Sequence, residues 1–241
     1  MSFYALAIIL KMWYYFGVSQ LFIVATPIGN LGDMTFRAVD VLKEVDVVAC
    51  EDTRHSLKLL NHFGIHKPLV SCRARNEADA AKKIVGLLDD GKDVAYVSDA
   101  GTPAVSDPGA VLVRTVRNSG HSVLPIPGVS AFAAILSVAG FSDKEVIFAG
   151  FLPQKGLKRK TRIKKLLDTG CGVVLYESPY RILKLLGELA EIDCELRVVI
   201  ARELTKMHEE VLEGNVSDLL QDFSGRVSIK GEFCIFITGN A

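Results

Sequence analysis

The chain has 241 residues with 28 basic and 28 acidic side chains, so its formal net charge is zero. That balance excludes a uniformly basic nucleic-acid binder but leaves room for local patches. With 49% hydrophobic residues, the chain is long and apolar enough for one large domain or two smaller ones.

Residues 1–20 stand apart. Phe3–Leu10 and Met12–Phe16 are apolar and aromatic, interrupted by Lys11. The stretch is short of the roughly 20 apolar residues a spanning helix needs, and it lacks a basic leader and a small-residue cleavage site. It reads as an extension outside the fold, with no membrane anchor expected. The five cysteines, Cys50, Cys72, Cys171, Cys194 and Cys234, have no CxxC spacing and no histidine placed to complete a zinc site. They read as reduced, mostly buried thiols of a cytoplasmic protein, and no metal is expected.

From Leu21 the pattern becomes regular. Leu21–Ala25 is a short, fully apolar run that predicts a buried parallel strand, broken by Thr26-Pro27-Ile28-Gly29-Asn30. Asp33 is expected to cap the next helix, whose apolar side is Phe36, Val39, Val41, Leu42 and Val45. Asp46–Cys50 predicts a second strand. It empties into Glu51-Asp52-Thr53-Arg54, where Asp52 or Thr53 caps a helix through Asn61. A third strand over Lys67–Ser71 precedes an amphipathic helix over Glu77–Asp89.

Val94–Val97 predicts the fourth strand, which ends in Ser98-Asp99-Ala100-Gly101-Thr102-Pro103. Gly101 permits backbone angles closed to other residues, and Pro103 fixes φ. Ser106 or Asp107 is placed to cap a helix over Ala110–Asn118, with Pro108 in its first turn. Ser122–Ile126 predicts a fifth strand. Five strands alternating with helices predict a doubly wound parallel sheet, whose ligand loops lie at the carboxyl ends of the strands.

The pattern changes at Pro127-Gly128. Ser130–Gly140 is apolar nearly all round and predicts a buried helix. Strands are expected at Val146–Gly150, Gly172–Tyr176, Leu196–Ala201, His208–Gly214 and Glu232–Thr238, with helices at Ile182–Glu191 and Val216–Phe223. Strands with little helix between them imply antiparallel pairing, hence a mixed sheet. The domains expected are therefore 21–127 and 128–241, with a cofactor cleft between them. Lys155–Lys165 carries Lys155, Lys158, Arg159, Lys160, Arg162, Lys164 and Lys165 and no acid. It is a candidate for RNA-backbone contact, set against the ordinary reading of a solvated helix face.

The P-loop pattern, the dinucleotide GxGxxG, the GxSxG elbow and HExxH are all missing. What remains is a series of polar breaks at strand ends, in order: Val24–Asp33, Cys50–Arg54, Ser98–Pro103, Pro125–Gly128, Tyr176–Pro179 and Ala201–Lys206. Together these motifs closely resemble the ribosomal RNA small subunit methyltransferase I family, within the tetrapyrrole methylase superfamily. The resemblance runs from about Leu21 to Gly239.

The resemblance implies a two-domain α/β fold, S-adenosylmethionine as methyl donor, a cytidine ribose 2′-hydroxyl of small-subunit ribosomal RNA as acceptor, and a homodimer. Carried over by motif, Pro27 and Gly29 would border the donor, and Asp99, Gly101 and Thr102 would hold it. Ser130 and Ala131 would offer helix N-terminal amides, and Tyr176 and Ala201 would line its far side. For the acceptor the candidates are Glu51, Asp52, Arg54, Arg202 and Glu203. Glu51 or Glu203 would act as base and Arg54 or Arg202 as phosphate clamp. Equally open is that both pairs are ion pairs bracing their loops.

Two departures stand out. Ser71-Cys72-Arg73-Ala74-Arg75-Asn76-Glu77 replaces a usual His-rich run, and Tyr180 replaces a usual His after Glu177-Ser178-Pro179. Two other readings also remain: a tetrapyrrole C-methyltransferase with the same donor, and a non-catalytic ribosome-assembly factor that binds RNA.

Overall fold

In a computed structural model of the chain, residues 19–140 and 145–239 are described. The N-terminal extension lies outside the described residues up to residue 18. The chain divides into two compact units. Among the described residues, one holds those up to Pro27 and Leu31–Gly128; the other holds Ile28–Asn30 and those from Val129 onward.

The first unit alternates strand and helix: β1 (Gln20–Val24), α1 (Phe36–Glu44), β2 (Val47–Cys50), α2 (Thr53–His62), β3 (Leu69–Ser71), α3 (Glu77–Asp89), β4 (Val94–Val97), α4 (Ala110–Asn118) and β5 (Ser122–Ile126). All pairings are parallel, in the order β3-β2-β4-β1-β5. Short apolar strands such as Val47–Cys50 are buried along their length because helices cover both faces. On one face Ala38, Leu42 and Leu60, from α1 and α2, pack with Val24, Val48 and Val97. On the other, Ala81, Ile84, Leu88, Leu112 and Val116, from α3 and α4, pack with Leu21, Ala49 and Tyr96. The helices that follow β1 and β4 therefore leave to opposite faces although these strands are neighbours. That is the arrangement that opens a crevice at strand ends.

Two expected caps are replaced. Thr35, not Asp33, caps α1, its hydroxyl accepting the Ala38 amide at 3.1 Å; Asp33 lies in a 3₁₀ turn over Leu31–Asp33. Neither Ser106 nor Asp107 caps α4. Its preceding residue is Gly109, at φ 140°, where a Cβ would stand 2.9 Å from the Ala104 Cβ. The cap comes instead from Glu77, 32 residues earlier: its Oε1 accepts the amides of Gly109, Val111 and Leu112 at 2.9, 2.8 and 3.0 Å. A buried carboxylate facing a helix N-terminus is stabilised by both the amides and the dipole. Asp52 does cap α2, through the Arg54 amide.

The second unit is a mixed sheet in the order β6-β7-β10-β8-β9. Its elements are α5 (Ala131–Val138), β6 (Val146–Phe151), α6 (Leu157–Leu167), β7 (Gly172–Glu177), α7 (Ile182–Ala190), β8 (Arg197–Arg202), β9 (Glu210–Asn215), α8 (Val216–Gly225) and β10 (Phe233–Ile237). β6 and β7 are parallel and the remaining pairs antiparallel. Val173, Leu175, Val198, Ile200 and Ile235 face α6, α7 and α8, whereas Val174, Val199 and Phe236 face α5. The helix expected to be buried all round, α5, is covered on one side only. Ile135 is buried, while Ala133, Ser137 and Val138 are exposed.

Glu77→Ala should lower the unfolding free energy by about 2–4 kcal/mol, since it strands three amides at the start of α4. Glu77→Gln, which keeps an acceptor, should lose less. Urea unfolding of both variants checks the order.

Candidate functional site

At the carboxyl edge of the first unit, the loops after β1 and β4 are tied by their own backbones, and the loop after β2 joins them through a side chain. The Thr26 amide donates to Gly101 O at 2.9 Å and the Gly101 amide returns to Thr26 O at 3.0 Å. Gly101 meets this pairing at φ 76°, the left-handed region that its lack of a Cβ makes accessible. From the β2 side the Asp52 amide donates to Asp99 Oδ1 at 3.1 Å. Pro27, Glu51, Asp52, Asp99, Gly101 and Thr102 are thus carried on three mutually tied loops.

The electrostatics of this edge are uneven. Burial raises the Glu51 carboxyl above the ordinary range, and the nearby Asp99 and Asp107 charges raise it further. Asp107 is also raised, chiefly by burial. Asp52 is lowered, first by its hydrogen bonds with Arg54. The Arg54 guanidinium folds back on Asp52 with contacts of 3.2 and 2.8 Å. Its side chain is 84% exposed, so this pair contributes little to stability and leaves the cation within reach of an anion.

Arg73 was not among the expected site residues. Its Nε donates to Glu51 O at 3.0 Å, and its Nη2 lies 3.9 Å from Asp52. It anchors the main chain of the residue next to Asp52.

In the second unit four of the expected residues gather around Cys234. On β10, Cys234 pairs with Tyr176 of β7 on one side and Ala201 of β8 on the other. Its Sγ donates to Ala131 O at 3.5 Å, and Ser130 precedes Ala131 at the start of α5. Burial pushes the Cys234 thiol up to about 12, so it packs as an uncharged group. The sequence marked Cys234 only as a buried thiol; the strand register that centres it is a tertiary fact.

Arg202 and Glu203 are committed to ion pairs. Arg202 donates to Lys230 O at 2.7 Å and to Glu210 at 3.1 Å. Glu203, at φ 52°, accepts from Lys206 Nζ at 2.9 Å and from the Glu232 amide at 3.0 Å. Burial alone would raise the Glu203 carboxyl, but these hydrogen bonds outweigh it and hold the group below its ordinary range. Each residue is thus paired to another partner, Arg202 to Glu210 and Glu203 to Lys206, rather than to the other.

The same loop holds Thr205 at φ 67°, with its Oγ1 buried and without a partner among the described residues. A Cβ on Gly29 would stand 2.9 Å from that hydroxyl and 2.5 Å from Lys206 Cγ. Gly29 is required there by close approach, which explains the Pro-Ile-Gly-Asn break.

The basic run splits. Lys155, Lys158 and Arg162 are exposed, and Lys160 is exposed beside Glu191 at 3.3 Å. Arg159 is fully buried, contrary to its expected role on an RNA-facing surface. It donates to Glu188 at 2.6 Å, Glu177 at 3.0 Å and Pro153 O at 3.2 Å. Among the described residues there is no cluster of three metal-ligating side chains and no helix long and apolar enough to cross a membrane.

Residues 20–220 match the model of the tetrapyrrole (corrin/porphyrin) methylases. A ribosomal RNA small subunit methyltransferase I from Borrelia garinii subsp. bavariensis is 48% identical over 220 residues, 91% of this chain and 98% of that protein. Its namesake from Thermotoga maritima is 43% identical over 222 residues, covering 92% and 99% of the two chains. The chain belongs to the ribosomal RNA small subunit methyltransferase I family, within the tetrapyrrole methylases. Two solved structures share the fold. A cobalt precorrin-4 methyltransferase superposes with TM-score 0.65 at 19% identity, covering 91% of this chain and 94% of that one. A uroporphyrin-III-C-methyltransferase from Thermus thermophilus superposes with TM-score 0.62 at 19% identity over the same shares.

Members of this family use S-adenosylmethionine, and the residues present suit it. In the second unit Thr205 Oγ1 is a buried hydroxyl lacking a partner among the described residues beside a glycine, and in the first unit the Asp99–Thr102 loop is pinned by the Thr26–Gly101 backbone pair and by the Asp99 carboxylate.

Because its folded-state carboxyl is raised, Glu51 favours the fold in its protonated form. That contribution is complete below the ordinary carboxylate range and is lost as pH rises through the raised value. Glu51→Gln should therefore melt slightly higher than the parent at pH 8 and equally at pH 4. Thermal melts at the two pH values test the sign.

Proposed function

We propose that the protein transfers a methyl group from S-adenosylmethionine to the ribose 2′-hydroxyl of a cytidine in small-subunit ribosomal RNA. The methyltransferase class follows from the family; the cytidine and its hydroxyl are the finer part of the reading. One observation carries it: Glu51 is a carboxylate with a raised pKa on a loop fixed to the Asp99 loop. A ribose hydroxyl is a weak nucleophile, and a base near its proton contributes about 10²–10⁴-fold. A carboxylate whose affinity for a proton has been raised suits that task better than an ordinary one.

When bound, S-adenosylmethionine supplies a methyl on a sulfonium whose leaving group is a neutral thioether. The chain's own part is to align and to accept a proton. Gly101 and Thr102 offer main-chain groups, with Pro27 at their border, and Asp99 supplies a carboxylate for the donor's cationic end. In the second unit Gly29, Ser130, Ala131, Tyr176 and Ala201, with Thr205 Oγ1 added, would take the remaining contacts. Alignment of this kind contributes roughly 7–11 kcal/mol. Glu51 would take the hydroxyl proton, Asp52 would hold Arg54 in place, and Arg54 would meet a phosphate.

Arg202 and Glu203 keep their loop in shape. Lys155, Lys158 and Arg162 would meet the RNA backbone, with Lys160 at their edge. The protein would act in the cytoplasm as a homodimer on ribosomal RNA or the 30S subunit. The uncovered side of α5, with Val138 54% exposed, supports a self-association surface.

Mass spectrometry of ribosomal nucleosides from cells with and without the chain should show one 2′-O-methylcytidine lost. Glu51→Gln should cut single-turnover methylation by about 10²–10⁴-fold while calorimetry finds donor affinity unchanged. In the parent, the rate should climb with pH above the ordinary carboxylate range, and that limb should vanish in the variant. Methylation at the parental rate in Glu51→Gln removes the base assignment.

A further inference from the structure

Phe148 and Phe151 lie three residues apart on β6, a spacing that in a regular strand sends side chains to opposite faces. Here both rings lie against Tyr176, with centroids 5.1 and 5.7 Å away. The cause is a break in the β6–β7 register between Phe148 and Gly150, with Gly150 at φ 60°. One extra residue restores the same face, as bulges beside functional sites do. The row of rings extends inward to Phe132 on α5, 5.2 Å from Phe148. It extends outward to Phe151, which is 57% exposed. Such exposure of an aromatic held by a backbone irregularity has no packing rationale.

The surroundings of Phe151 are fixed from beneath. Arg159 holds Pro153, two residues past Phe151, and also Glu177 at the end of β7. Glu177 Oε1 accepts from Arg181 at 2.6 Å and from the Ser178 amide at 2.8 Å. The turn between them lifts Tyr180 into solvent, 95% exposed. The same buried arginine fixes the start of α6, where Lys155 and Lys158 are exposed. The two open aromatic rings and the two cations therefore stand at or just past the carboxyl ends of the neighbouring parallel strands β6 and β7.

We propose that this strand-end edge of the second unit is a stacking platform for single-stranded RNA, with Phe151 and Tyr180 taking unpaired bases while Lys155 and Lys158 take phosphates of the same strand. The proposal rests on the RNA-substrate reading and deepens it. Charge complementarity and the pairing of open rings with cations argue for a nucleic acid strand over an apolar partner. The Tyr180 ring can stack without needing a proton.

The test uses the full chain and two short RNAs of equal length, one normal and one with abasic positions, so that phosphates match and bases do not. The parent should bind the normal strand more tightly by about tenfold or more. Phe151→Ala with Tyr180→Ala should erase that preference and keep the salt dependence; Phe151→Trp should retain it. Lys155→Ala with Lys158→Ala should flatten the salt dependence and keep the preference. Equal binding of both RNAs by the parent, no binding of either, or an unchanged preference in the double-alanine variant overturns the platform. So does a shift of that variant's sedimentation coefficient toward monomer at parental RNA affinity, which would make the face a contact between copies. Because binding is read without methylation, a failed methyl-transfer assay leaves this result standing on its own.

Discussion

Two backbone hydrogen bonds between Thr26 and Gly101 set the conditions for everything at the edge of the first unit. A loop that leaves a parallel strand carries polar groups into a poorly solvated place and must satisfy them. Here the loops after β1 and β4 satisfy each other, and the Asp99 carboxylate takes the Asp52 amide from β2. Not every carboxylate at the edge takes part in these ties. Glu51 is the clearest case: its carbonyl is held by Arg73, while its carboxylate faces burial and three like charges.

The second unit solves the same problem with charge. Arg159, Glu177, Glu188 and Arg181 form an ion network at the junction of β7, α6 and α7. Burying such charges gives little net stability, but removing one partner costs about 3–5 kcal/mol because the other is left unpaired. The network therefore specifies rather than strengthens: it fixes where α6 starts and how the Ser178–Tyr180 turn stands. The cations left on α6 are exposed because the helix is anchored from its opposite side.

The strands and the polar breaks that end them were legible because both are local signals. Apolar runs of four to six residues ended by glycine, proline or aspartate mark parallel strands and their loops wherever helices cover both faces. What escaped depends on partners distant in sequence. Ser106-Asp107 looked like the cap of α4, yet Glu77 from α3 serves it. Arg159 looked like one more surface cation until Glu177 and Glu188 came to meet it. The all-round apolar pattern of α5 was read as burial, but only one side meets the sheet. Cys234 became central only through the register of β10 against β7 and β8.

The two glutamates that looked interchangeable in sequence show why environment decides role. Glu51 and Glu203 both follow strands and both sit beside an arginine-bearing motif. Burial acts on each in the same direction, toward a raised pKa. At Glu203 the Lys206 ammonium and the Glu232 amide reverse it, and the charge is spent on holding a loop with two residues at positive φ. At Glu51 no such cation intervenes strongly enough, and neighbouring aspartates push the same way as burial. The same burial therefore leaves two opposite carboxyls: one with its proton affinity raised, as the proposed base requires, and one whose fixed charge holds the loop that carries Thr205 at positive φ.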